Sequence, residues 1–489
     1  MTNSLRGLLS GLLIAGLPIS SSAQAEVVPS VLFGDNAVLQ QGRNVPVWGT
    51  AAEGEKVSVS FGEQKAETVA KDGKWMVWLD PMKADTSPKT LTITGSTNTV
   101  TSTNILVGEV WVCSGQSNME RKLPELVNKT NALLSQKWRQ DAAAANYPEI
   151  RHLTVPRTTA TNPVSTLVSQ WEICSPQTVT NFTAVGYYFG RDLHRDLNVP
   201  VGLIHSSWGG TPAEAWTRHE VLATNSIFTP ILDRFTNAVA TYATRLAKYQ
   251  ADEPRLLVDY TNAYAEADAQ GRPNPLRPTP PPNPSEDPHT PSILFNGMIN
   301  PLLPYAIRGV IWYQGESNSA RAKEYRDLFP AMIGDWRAQW RQGDFPFLFV
   351  QIAPFKRMLP EIREAQFMTL GKVPNTAMAV TTDVGDFHDI HPIQKEPVGE
   401  RLALAARALA YGELLEYSGP LYKSSRTNGN SITISFDHAG MGLVAKGAPL
   451  KGFVLAGADK TFEPAKAEIQ GKTVVVTAAG VSNPVAVRY

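Results

Sequence analysis

Ile105-Leu106-Val107-Gly108-Glu109-Val110-Trp111-Val112-Cys113 runs, after Ser114, into Gly115-Gln116-Ser117-Asn118-Met119. The first nine residues are apolar and rich in β-branched side chains, which predicts a buried strand. The glycine and small polar residues behind them end that strand. Ser117 therefore stands just past a strand end and can project its hydroxyl from the carboxyl edge of a sheet. Open α/β sheets place their ligands at that edge.

Working outward, residues 105–412 alternate strands with helices. Residues 199–206, 307–313, 345–352 and 376–382 read as further strands, and 325–340 and 400–411 carry helical periodicity. Thr211-Pro212-Ala213-Glu214 reads as a capping box with proline at the first helical position. Such alternation predicts a mostly parallel sheet covered on both faces. The flanks differ. Residues 26–104 hold short alternating runs such as Lys56-Val57-Ser58-Val59-Ser60-Phe61, separated by Glu53-Gly54, Asp72-Gly73 and Asp80-Pro81 turns. A small β-sandwich is expected there. Residues 413–489 are β-rich again and form a second small β domain. Within the middle domain, residues 272–291 contain nine prolines, which excludes a helix or a central strand and predicts a surface insertion.

The chain has 489 residues, too many for one ordinary domain. Forty-five basic residues balance 45 acidic ones, so the total charge implies no basic face and no nucleic-acid partner. Eleven tryptophans and fourteen tyrosines exceed what a core needs; most are read as core, some as platforms for sugar stacking. Arg6, the apolar run 8–19 and Ala23-Gln24-Ala25 read as a leader peptide over 1–25, giving a periplasmic or secreted protein that begins at Glu26. No other stretch is long and apolar enough for stable membrane insertion. Cys113 and Cys174 are the two cysteines; one disulfide or two buried thiols both fit an exported chain. The residues carry no signal of oligomeric state.

Two more stretches complete a chemical pattern. Gly315-Glu316-Ser317-Asn318 follows the strand at 307–313, and Asp389-Ile390-His391-Pro392 follows the strand at 376–382. A serine hydroxyl is a weak nucleophile until a base takes its proton. Ser117 is the nucleophile candidate and His391 the base; Pro392 keeps His391 in a loop. His388 is the weaker rival. Asp389 or Glu316 is the acid that orients the imidazole, with Asp389 preferred because it shares a loop with His391. Asp383 and Asp386 are read as turn formers. The Ser117 N–H, a backbone N–H at Gly209 or Gly210, and the Asn318 amide are candidate oxyanion donors. The histidines show no zinc-ligand spacing, so no metal is inferred, and the chemistry requires no cofactor.

Gln116-Ser117-Asn118-Met119, Trp208-Gly209-Gly210-Thr211, Trp312-Tyr313-Gln314-Gly315-Glu316-Ser317-Asn318, Arg363-Glu364-Ala365-Gln366 and Asp389-Ile390-His391-Pro392 stand in this order along the chain. Together they resemble the signature blocks of bacterial sialate O-acetylesterases, carbohydrate esterases of the SGNH-hydrolase superfamily. The resemblance implies a flavodoxin-like three-layer α/β/α domain flanked by small β-sandwich domains. It implies Ser117 as nucleophile, His391 as base, and Ser117, Gly209 or Gly210 and Asn318 around the oxyanion. Gln116, Arg363 and Gln366 become candidate substrate-binding residues. The implied activity is removal of O-acetyl groups from a saccharide through an acetyl-enzyme. A sialic acid carboxylate would favour an arginine near Ser117, and Arg121, Arg321 and Arg363 are the candidates. Acetylated xylan, xyloglucan or pectin is the alternative substrate, and a non-catalytic carbohydrate-binding protein on the same fold the alternative role. Two features depart from the pattern. Much of the superfamily has aspartate three residues before the histidine, where this chain has His388. The family also continues past a segment like residues 485–489, so the last β domain is expected to be incomplete.

Overall fold

The computed structural model describes residues 26–127, 132–447 and 449–489; the expected leader lies outside them. Residues 105–113 belong to one 17-residue strand, β1 (Thr99–Gly115). Its burial changes character at Ile105. Before it, buried and exposed positions mix; from Ile105 to Gly115 every residue is buried. The first part pairs antiparallel with Asp85–Thr94, in a sheet with one wet face. The second part lies at the centre of a sheet covered on both faces. A single strand thus crosses from the N-terminal β unit into the α/β unit.

The central sheet also contains β2 (Tyr147–Thr154), β3 (Trp171–Cys174), β4 (Val201–Ser207), β5 (Gly309–Tyr313), β6 (Phe347–Val350) and β7 (Thr376–Ala379). Their order is β3-β2-β4-β1-β5-β6-β7, parallel except for β3 against β2. Without the β2–β3 edge, the strands follow the flavodoxin-like order 2-1-3-4-5, whose ligand crevice opens at the carboxyl ends of its first and third strands. Here those are β1 and β5, and their register sets Gly115 opposite Tyr313.

Helices α1 (Ser117–Glu120), α2 (Ala184–Leu197), α3 (Thr229–Ala269), α4 (Ala322–Trp340), α5 (Pro360–Lys372) and α6 (Glu396–Tyr411) accompany the sheet. α2 packs on α6, and α4 on α5. Every residue of β5 and β6 is buried, so both faces are covered. Trp312 of β5 sits among Trp216, Phe329, Trp336 and Phe347. Trp111, Trp216, Trp312, Trp336 and Trp340 are fully buried, so these tryptophans are core rather than sugar platforms. α3 is 41 residues long and buries only Ile231 and Ala267. No helix among the described residues is long and apolar enough to cross a membrane.

The N-terminal unit joins a three-stranded sheet (Val28–Pro29, Val45–Thr50, Lys74–Leu79) to strands that pair with β1. One apolar core runs from Val27 through the central sheet to Ala406. At the junction, the fully buried Glu109 carboxylate accepts from Arg308 Nε (2.6 Å) and Nη2 (3.0 Å), Gln40 (3.0 Å) and Gln41 (2.6 Å). Such complete satisfaction is what a buried charge requires. The C-terminal unit keeps its own core, Ile432, Ile434, Leu455, Val474 and Val476 among others, between a four-stranded and a three-stranded sheet.

The expected capping box at 211–214 does not form. Thr211 Oγ1 donates to the Trp208 carbonyl and accepts from Trp216 Nε1. Pro212 precedes only a 3₁₀ turn, Ala213–Trp216, and Glu214 turns to other partners. Cys113 and Cys174 are free, buried thiols.

Candidate active site

Gly115 has φ +137°, and a Cβ there would lie 2.2 Å from the Tyr313 carbonyl oxygen. Only glycine lets the ends of β1 and β5 meet this way. The Gln116 N–H donates to the same carbonyl at 2.9 Å. Gln116 Oε1 accepts from the Gly315 and Ser317 N–H groups, each at 3.3 Å. Two of the sequence blocks are thereby stitched into one rim, and α1 starts from it at Ser117.

The third block reaches the same rim from the end of β7. His391 Nε2 lies 2.9 Å from Ser117 Oγ. The loop is shaped by its own carboxylates: Asp386 accepts from the His388 and Asp389 N–H groups, and Asp383 holds Arg401. His388 is exposed and stacks edge-on to Phe387, away from this role. Burial, and then the charges of Arg121 and Lys395, hold the His391 imidazole below its ordinary proton affinity, while Asp389 acts in the opposite sense. A neutral ring whose Nε2 faces a hydroxyl can accept its proton.

The two acid candidates stand differently. Asp389 Oδ1 accepts the His391 backbone N–H at 2.8 Å and lies 3.9 Å from Nδ1, an ion-pair distance too long for a hydrogen bond. Its side chain is 58% exposed. Glu316 is buried; its Oε1 accepts from Asn118 Nδ2 at 2.6 Å, and its Oε2 has no hydrogen-bond partner among the described residues.

Of the oxyanion donors, the Ser117 and Gly210 N–H groups carry no hydrogen bond among the described residues. The Gly209 N–H donates to Glu120 Oε2 at 2.9 Å, and Glu120 is in turn held by Arg157. Gly209 lies against the nucleophile: a Cβ on it would come 3.2 Å from Ser117 Cβ. The Asn318 amide is spent inside the protein. Its Nδ2 donates to Glu214 Oε2 at 2.8 Å, and its Oδ1 accepts from Ala213 N and Gln314 Nε2. Gln366 is fully buried and ties Ile352, Gln314 and Val350 backbone together, so it supports the rim from beneath. Arg363 is half-buried on α5, and burial lowers its proton affinity.

A family model described as carbohydrate esterase, sialic acid-specific acetylesterase, matches residues 107–252 and 294–407. The chain belongs to this family. It is therefore a carboxylic ester hydrolase. Sialate O-acetylesterase of Rattus norvegicus is 34% identical over 422 residues, 77% of this chain and 72% of the relative. That of Homo sapiens is 31% identical over 435 residues, 80% of this chain and 72% of the relative. A solved structure of a carbohydrate acetylesterase from Xanthomonas citri is 34% identical with a TM-score of 0.77, covering 95% of this chain and 94% of that one.

Within this carbohydrate-esterase frame, several rim residues take distant partners for which the local sequence holds no signal. Glu214 accepts from Asn318 and Arg321, which fixes the Gly209-Gly210 turn against the Asn318 loop. His289, from the proline-rich segment, lies between Asp287 Oδ1 (2.6 Å) and the Gly210 carbonyl (3.1 Å). Lys395 is buried to 1% exposure and bonds Asn118 Oδ1. These are single polar residues in loops, and only the fold brings them together. Arg121, by contrast, is one of the three arginines already singled out by the sequence. It is half-buried, its guanidinium donates to the Glu125 carbonyl, and it makes no ion pair among the described residues. Arg321 is committed to Glu214 and Glu324.

Proposed function

We propose that this protein is an exported serine esterase that removes O-acetyl groups from sialic acids. The observation that carries the reading is the 2.9 Å contact between His391 Nε2 and Ser117 Oγ at the carboxyl edge of β1 and β5. Ser117 Oγ attacks the acetyl carbonyl carbon while His391 Nε2 takes the hydroxyl proton. The carbonyl π electrons move to oxygen, and the oxyanion meets the Ser117 N–H and the Gly209-Gly210 turn. One such donor contributes about 3–4 kcal/mol. Collapse of the intermediate re-forms the carbonyl and breaks the bond between the acetyl carbon and the sugar oxygen, and His391 returns the proton to that departing oxygen. A water, deprotonated by the same imidazole, then releases acetate from Ser117.

The Asp389 carboxylate supports the imidazolium through space rather than by a direct bond. Arg121 is the residue suited to a sialic acid carboxylate, because its charge already acts at His391 and it makes no ion pair among the described residues. Acetate release from O-acetylated sialosides, acetylated xylan and acetylated xyloglucan tests the assignment. Higher kcat/KM on the sialosides is expected. Equal or higher values on the neutral hemicelluloses would move the substrate to that class and leave the serine chemistry standing.

A further inference from the structure

We propose that Lys395 is a positioning residue that sets the distance between Ser117 and His391 through the side chain of Asn118. The inference rests on Ser117 and His391 being the reacting pair. Asn118 follows the nucleophile in sequence, and Ile390 precedes the base. Asn118 Nδ2 donates to Glu316 Oε1 at 2.6 Å and to the Ile390 carbonyl at 3.0 Å. Asn118 Oδ1 accepts from Lys395 Nζ. One amide thus bridges the residue after the serine to the residue before the histidine. Its three polar side chains are buried: Asn118 is fully inaccessible, Lys395 is 1% and Glu316 8% exposed.

The chemistry of the three partners leaves the amide one orientation. An ammonium offers only donors, so Oδ1 must face it; a carboxylate and a carbonyl offer only acceptors, so Nδ2 must face them. Loss of the ammonium removes the reason for Oδ1 to stay where it is. Asn118 Oδ1 is then buried without its charged partner, the amide keeps only its two Nδ2 bonds, and the Ile390 bond that holds the His391 loop is less firmly placed. A misplacement of about 1 Å at the reacting atoms costs on the order of 100-fold in rate.

Lys395 can also report on its own charge. The groups that act on it are Glu316 and Asp389, which favour its charged form, and Arg121, which opposes it; the Tyr313 ring lies 5.2 Å from Nζ. Burial outweighs these and brings Lys395 down to about 7. Glu316 is pushed up, by burial first. Deprotonation leaves a neutral amine, a weaker donor, so the charge-assisted bond to Asn118 Oδ1 weakens as pH rises past neutrality.

The experiment measures kcat, KM and the pH profile on a generic acetyl ester for the wild type and for Lys395→Met, Lys395→Arg, Glu316→Gln and Ser117→Ala. Lys395→Met is expected to lower kcat about 10- to 100-fold with KM changed less than about threefold. The alkaline limb of the wild-type profile should vanish in it. Lys395→Arg, a cation that does not titrate here, should recover part of kcat without an alkaline limb. Glu316→Gln removes the charge that favours protonated Lys395, so its alkaline limb should move to lower pH. If Lys395→Met does not fold, Asn118→Ala removes the bridge from its other side, and wild-type kcat in a folded Asn118→Ala overturns the proposal. So does a folded Lys395→Met with wild-type kcat. Ser117→Ala separates the two levels, since retained activity in it would instead overturn the serine mechanism.

Discussion

Asp389→Asn should slow the enzyme only modestly, and the geometry sets how much. Asn retains a carbonyl oxygen that can accept the His391 backbone N–H now bound at 2.8 Å, so the loop should hold its shape. What is lost is a negative charge 3.9 Å from Nδ1. At about 4 Å two unit charges interact by about 1 kcal/mol in water and about 4 kcal/mol near a protein surface. The carboxylate is 58% exposed, which places it toward the solvent end of that range. About 1–1.5 kcal/mol of imidazolium stabilisation corresponds to roughly a 5- to 12-fold loss in kcat. A buried acid bonded directly to the ring contributes about 10⁴-fold. Stopped-flow or steady-state hydrolysis of a chromogenic acetyl ester at low and high salt separates these cases. The loss should shrink as salt screens the pair. A 10³-fold or greater loss, indifferent to salt, would show that Asp389 bonds Nδ1 in the working enzyme and would refute the reasoning.

Three other outcomes follow from the same geometry. Gly115→Ala forces a side chain onto φ +137° and into the Tyr313 carbonyl, and should cost about 2–5 kcal/mol in chemical denaturation; an unchanged midpoint would contradict the close approach of β1 and β5. Activity requires neutral His391, so kcat/KM should fall as pH drops through its pKa; burial and the Arg121 and Lys395 charges put that acid limb below the ordinary value of about 6.5. A limb above it would contradict the assigned surroundings. Arg121→Gln should raise KM for acetylated sialosides several-fold while sparing neutral acetyl sugars, and an equal effect on both would remove Arg121 from carboxylate recognition.

The parts of this molecule that were legible in the sequence are those where local pattern and tertiary role coincide. The run 105–113 looks like a buried strand because it is buried, and four of the five other parallel strands are apolar for the same reason, whereas β2 carries charged and polar residues and has no such signal. Ser117 and His391 were readable because each follows a strand end, and strand ends of a parallel sheet share one edge. The strand β1 was harder to bound. It extends back to Thr99, and the pattern change at Ile105 marks a change of surroundings rather than the end of an element. α3 has no counterpart in the sequence reading, and only Ile231 and Ala267 of its 41 residues are buried. Glu214 was assigned to a local cap, whereas its partners Asn318 and Arg321 lie about a hundred residues away. Gln116 and Gln366 were expected at the substrate, yet their amides serve the backbone beneath the rim. Lys395 had no signature at all, because an isolated lysine after a loop reads as surface until the fold closes over it.

The central claim, that Ser117 is the nucleophile activated by His391, is tested most directly by covalent labelling. The full chain is treated with an organophosphonate, digested, and the adduct mapped by mass spectrometry. One adduct is expected, on Ser117, formed in parallel with loss of acetylesterase activity, absent in Ser117→Ala and greatly slowed in His391→Ala. An adduct on another residue that abolishes activity, or full turnover by Ser117→Ala, would contradict the claim.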